Sequence, residues 1–145
     1  MNASASPTTQ TTHTARGQFS VKIGVPEAMA VPEGATPMFR RSLDKVYEGD
    51  LQASARGEML AAGQPQTGSA AYTALESIHG TLQGRNGSFA LAHLGLMKAG
   101  SQDLRIAIAP GSGQGELTGI SGELLLRIEA GVHFYELNYR FADGR

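Results

Sequence analysis

The chain has no cysteine. Disulfides, a thiol nucleophile and cysteine-ligated zinc are excluded, and a reducing interior suits such a chain. Positive charge is not in excess either: 12 Lys and Arg stand against 13 Asp and Glu, a net charge of -1. Without a basic field to hold a phosphate backbone, nucleic acid is not an expected partner. No apolar run approaches the ~20 residues that cross a bilayer as a helix, and the first residues lack the apolar core of a secretory signal. The expectation is a soluble, cytoplasmic protein with no membrane attachment. Tryptophan is missing and aromatic residues make up only 6% of the chain.

Glycine is what the chain has in quantity, 19 in 145 residues, and that describes a backbone that turns often between many short strands. The length suits one domain, which can bury roughly two-thirds of its unfolded surface. Residues 1–16, rich in Ala, Ser, Thr and Gln and without periodicity, are expected to form a disordered tail, and residues 17–145 the domain. Phe19, Val21 and Ile23 alternate with polar residues in a first strand over 18–25, and Pro26, Pro32 and Pro37 then make a crossing loop. Extended segments follow at 38–47, 51–60, 71–82, 88–97, 104–109, 116–120, 122–129 and 132–141, with a loop at 61–68. Eight or nine strands at this spacing predict an all-β sandwich or closed barrel.

Gly84-Arg-Asn-Gly87 carries the Asn-Gly signal of a tight hairpin. Folding 88–97 back on 71–82 about that turn puts Glu76 and His93 on one face, diagonally adjacent, together with Tyr72, Ile78, Phe89, Leu91 and Met97. That bulkier face is the expected interior. A carboxylate and an imidazole enclosed among apolar side chains are either a satisfied structural hydrogen bond or a pair whose altered pKa values suit acid/base work. Glu58, at the end of the preceding strand, is a candidate second carboxylate for a dyad, or a solvated strand end. Tyr135 and Tyr139 share a face with His133, Leu137 and Phe141, and either offer phenols to a ligand or complete an aromatic core.

Other motifs fail. In Gly111-Ser-Gly-Gln-Gly115 the position where a phosphate loop has its glycine-lysine holds Glu116 and Leu117, and strands flank the segment where a dinucleotide site needs a helix. The histidines at 13, 79, 93 and 133 lack the i, i+4 spacing of helical zinc sites. Ser88 and Ser112 have no nucleophile elbow. No metal and no cofactor are expected.

Tyr47-Glu-Gly-Asp-Leu51, Glu58-Met-Leu60, residues 72–76, Gly80-Thr-Leu-Gln-Gly-Arg-Asn-Gly-Ser-Phe89, Leu91-Ala-His93, Pro110-Gly-Ser-Gly-Gln-Gly-Glu-Leu117 and His133-Phe-Tyr-Glu-Leu-Asn-Tyr139 resemble, in order, the bacterial domain of unknown function 3224. The resemblance runs from about Phe19 to Phe141. It implies a single closed antiparallel β-barrel of about eight strands, calycin-like and similar to allene oxide cyclase, which binds a fatty-acid-derived substrate inside its barrel. It implies no activity. Glu58, Glu76, Arg85, His93, Pro110, Ser112, Glu116, Tyr135 and Tyr139 match its motifs, whereas Met59 stands where the family carries an aromatic and residues 100–105 are atypical.

Three readings follow. The first is a barrel binding a small, largely apolar ligand, with Tyr72, Phe89, Tyr135 and Tyr139 as ligand-binding residues and Glu76 and His93 as further polar anchors. The second is an isomerase or cyclase with Glu76, His93 and Glu58 as its catalytic groups. The third is a filled barrel that forms homo-oligomers through a Leu75, Leu94 and Leu96 face.

Overall fold

The computed structural model describes residues 11–145. Its strands are β1 (His13–Ile23), β2 (Glu27–Ala28), β3 (Met38–Gly49), β4 (Leu51–Gln64), β5 (Ser69–Leu82), β6 (Arg85–Lys98), β7 (Ser101–Ile108), β8 (Gln114–Gly115), β9 (Ile120–Glu129) and β10 (Val132–Phe141). A one-turn 3-10 helix at Pro65–Thr67 connects β4 to β5. The wall runs β1-β10-β9-β7-β6-β5-β4-β3, antiparallel throughout, and β3 pairs back onto β1 from Gly17↔Gly49 to Ile23↔Leu43. The result is a closed eight-stranded antiparallel barrel. Its thinnest seam joins β7 to β9 at Ala107↔Glu123. The short strands β2 and β8 lie against β3 and β6.

Alternation along each strand sends one residue set inward. Leu51, Leu82, Phe89, Leu117, Ile120, Tyr139 and Phe141 are buried at one end of the barrel, where the Arg85 and Arg145 guanidinium groups lie 4.6 and 4.2 Å from the Phe141 ring centre. Tyr72 and Met97, nearer the other end, are only partly buried.

The strands depart from sequence expectation in instructive places. β1 begins at His13, so residues 13–16 of the expected tail are in the sheet, while residues 1–10 lie outside the described residues. Ala15 is fully buried and the His13 ring stacks on Tyr139 at 5.0 Å. Those partners are distant in sequence, so the segment's own polar composition gives no sign of them. The 61–68 loop shrinks because β4 and β5 continue pairing out to Gln64↔Ser69. The hairpin turns at Gln83-Gly84, between the paired residues Leu82 and Arg85, with φ of 44° and 87° at the two turn residues.

Asn86-Gly87 instead serves the loop before β9. The Asn86 N–H donates to Glu116 Oε1 at 2.9 Å, and a Cβ at Gly87 would strike the Gln114 carbonyl. Residues 116–119, expected in a strand, form successive tight turns, with Leu117 N–H to Gln114 O and Ile120 N–H to Leu117 O, both 3.2 Å.

Candidate functional site

The turn shift moves the β5–β6 register but preserves its parity, so Glu76 and His93 still share the inner face. His93 is opposite Ala74, one diagonal step from Glu76. Lys45 and Tyr47 enter from β3 on the same inward phase as Leu43. These side chains form a connected polar cluster. Lys45 Nζ is 2.6 Å from Glu76 Oε2, and His93 Nε2 is 3.0 Å from the same oxygen. The Tyr47 hydroxyl donates to Glu76 Oε1. Tyr72 Oη lies 3.4 Å from His93 Nδ1. Glycine makes room at two points: a Cβ at Gly57, opposite Glu76, would collide with the Leu75 carbonyl, and one at Gly95, opposite Tyr72, would collide with the Tyr72 ring.

The electrostatics follow from burial. Glu76 is 1% exposed and Lys45 9%. Removal from water pushes the Glu76 carboxyl upward, but the His93 hydrogen bond, the Lys45 charge and the Tyr47 hydroxyl outweigh it and hold the group below its ordinary value. Burial and the Glu76 charge push both Tyr47 and Tyr72 upward, so these phenols keep their protons. An ionised carboxylate only accepts hydrogen bonds. His93 Nε2 is therefore the protonated nitrogen facing it, and Nδ1 is directed to Tyr72. Both Glu76 oxygens are taken by protein donors, which makes Glu76 an orienting group for His93 rather than a free base.

Tyr72 also lines a pocket of about 230 Å³ at the open end, with Arg41, Met59, Ala61, Gly95, Met97 and Leu104 among its walls. Wider grooves of about 660 and 920 Å³ run along the outside of the barrel past Arg16, Glu48 and Arg127, and past Lys22, Arg56 and His79. They are open to water and lined mainly by outward-facing residues, with Lys45 and Ala55 among the walls of the larger one and Tyr135 among those of the other. Among the described residues, no three His, Cys, Asp or Glu side chains gather as a metal site would require, and no helix is long and apolar enough to cross a membrane.

The chain matches the family described as Protein of unknown function (DUF3224) over residues 15–139. It belongs to the DUF3224 family. A solved structure of a DUF3224 protein of unknown function from Shewanella oneidensis MR-1 is 42% identical, with a TM-score of 0.82 over 90% of this chain and 98% of that one. Among curated proteins there is no match.

In this DUF3224 barrel the expected site residues separate into groups. Glu76, His93 and Tyr72 come together as described. Glu58 faces outward opposite Leu75, is 62% exposed and pairs with Arg40 at 3.2 Å, so it cannot form an interior dyad with Glu76. Phe89 is buried in the apolar core away from the pocket.

The two tyrosines of β10 are tied to backbone and side chains of the barrel. Tyr135 Oη donates to Glu48 O at 2.8 Å and accepts from Leu51 N–H at 2.9 Å, while the Tyr139 hydroxyl donates to Gln83 Oε1. Burial raises both phenols, opposed at Tyr135 by the Leu51 N–H and at Tyr139 by Arg85. Neither borders the 230 Å³ pocket.

Sequence reasoning missed Lys45, Tyr47 and Arg41. The available signal was phase: Arg41, Leu43, Lys45 and Tyr47 sit at every second position of one strand, so a lysine in step with leucine and tyrosine already pointed to a buried cation.

Proposed function

We propose that this DUF3224 protein binds a small, largely apolar molecule in the open end of its barrel, oriented by the Tyr72 hydroxyl and the His93 and Glu76 groups behind it. The observation that carries the reading is the pocket itself, with apolar walls, about 230 Å³ of space and one hydroxyl linked to the buried cluster. This space is below the roughly 300–1,000 Å³ of drug-sized ligand sites, so it suits a compact ligand rather than a long chain. Native mass spectrometry of protein purified from its own source tests the reading. A retained small molecule, absent from an Ala61→Met variant whose longer side chain takes up pocket space, is the expected result. A bare mass under all ionisation conditions, together with no shift of the Met59, Ala61 and Met97 methyl signals against a fragment set, refutes it.

A second reading is favoured by the orientation of His93: with a carboxylate on Nε2 and the Tyr72 hydroxyl at Nδ1, the imidazole links the pocket to the buried cluster, as suits a group that moves a proton. As an isomerase or cyclase the protein would use His93 as the base and Glu76 as its positioning residue. Loss of turnover in His93→Ala with ligand binding retained tests that role, and unchanged turnover removes it.

The lack of cysteine suits a cytoplasmic setting. The outer leucines Leu75, Leu94 and Leu96, 63, 50 and 47% exposed, suit a contact with a second copy of the chain. Sedimentation of Leu94→Lys against the unaltered protein tests the latter, and identical mass in both refutes it.

A further inference from the structure

Arg41 sits on the inward phase of β3, at the mouth of the pocket. An arginine there gives up part of its hydration, which the protein's own acceptors replace only in part. Its Nε donates to the Gly24 carbonyl at 2.8 Å, which anchors the guanidinium. Its two terminal nitrogens have no protein acceptor within hydrogen-bonding distance among the described residues. The acids of the neighbouring strands are already engaged: Glu27 and Glu58 with Arg40, both at 3.2 Å, and Asp44 with Arg56 at 3.0 Å. Asp103 also borders the pocket, and no ion pair joins it to Arg41 among the described residues.

We infer that the pocket takes a small monoanion, a carboxylate on a short apolar body, with Arg41 gripping the carboxylate. This deepens the pocket reading above and rests on it. The anchored Nε leaves the end-on pair of amino groups, the geometry that holds a carboxylate through two parallel hydrogen bonds. The apolar body then lies against Met59, Ala61, Met97 and Leu104, toward Tyr72. The small space, about 230 Å³, suits a short body better than a long chain.

The test uses acids and their neutral isosteres, benzoate against benzamide and hexanoate against hexanamide, titrated into the full chain and followed through the Met59 and Met97 methyl signals. At least one acid should bind about tenfold or more tightly than its amide, the scale of a hydrogen bond to a charged group. Arg41→Gln should abolish that preference while the amide still binds, and Arg41→Lys, which keeps the charge without the fork, should retain part of it. Equal affinity for acid and amide in the unaltered protein, or a preference that survives in Arg41→Gln, overturns the anion inference and leaves the pocket reading standing. If no acid or amide shifts the pocket signals, the pocket reading itself fails.

Discussion

Replacing Lys45 by methionine should destabilise the barrel far more than loss of a surface charge would. The ammonium and the Glu76 carboxylate are 2.6 Å apart and 9% and 1% exposed, and removing one member of such a buried pair costs about 3–5 kcal/mol, against about 0–1 kcal/mol for an exposed pair. Glu76→Met should cost a similar amount, because it strands Lys45 with only the Phe19 ring, 4.7 Å away, and the Tyr47 ring as compensation. The double variant, with neither charge left to desolvate, should cost less than the sum by about 2–3 kcal/mol.

Urea unfolding at a common m-value measures all four proteins. Because the folded protein holds Glu76 below its ordinary value of 4.5, the carboxylate's contribution is complete above that pH and is lost as pH falls through the lower folded value. The gap between the unaltered protein and Glu76→Met should therefore narrow as pH falls below about 5. Single variants costing under about 1 kcal/mol, a strictly additive double, or a gap that widens in acid would each refute the reasoning.

Gly95→Ala should cost about 1–3 kcal/mol by pushing the Tyr72 ring aside, and the His93 ring signals should shift as its Nδ1 neighbour moves; unchanged signals would contradict the packing. Tyr135→Phe should cost about 1–3 kcal/mol, because the buried Leu51 N–H loses its acceptor, as a melting comparison would show. Glu58→Gln should change stability by no more than about 0.5 kcal/mol and leave probe binding untouched, since its carboxylate faces solvent beside Arg40.

The local pattern carried the strands and the inner face of β5 and β6. Strand parity survives a register shift of whole pairs, so moving the turn to Gln83-Gly84 changed the partner of His93 without changing its side. The pattern could not place Glu58, because it lay beyond a loop of unknown parity, and the longer β4–β5 ladder turned it outward. Nor could it tell that Asn86-Gly87 serves a loop contact instead of a turn, since the deciding groups, Glu116 and Gln114, come about thirty residues later.

By itself the sequence determined an all-β chain of alternating strands and an inward Glu76 and His93, because side-chain direction along a strand follows a period of two that any segment displays alone. Only the tertiary structure decided that Lys45 and Tyr47 occupy the carboxylate, that Tyr135 and Tyr139 are spent on Glu48, Leu51 and Gln83, and that Arg41 faces a pocket. Those outcomes depend on which strands become neighbours when the barrel closes, and a hydrogen bond's partner is set by that closure rather than by either residue's own segment.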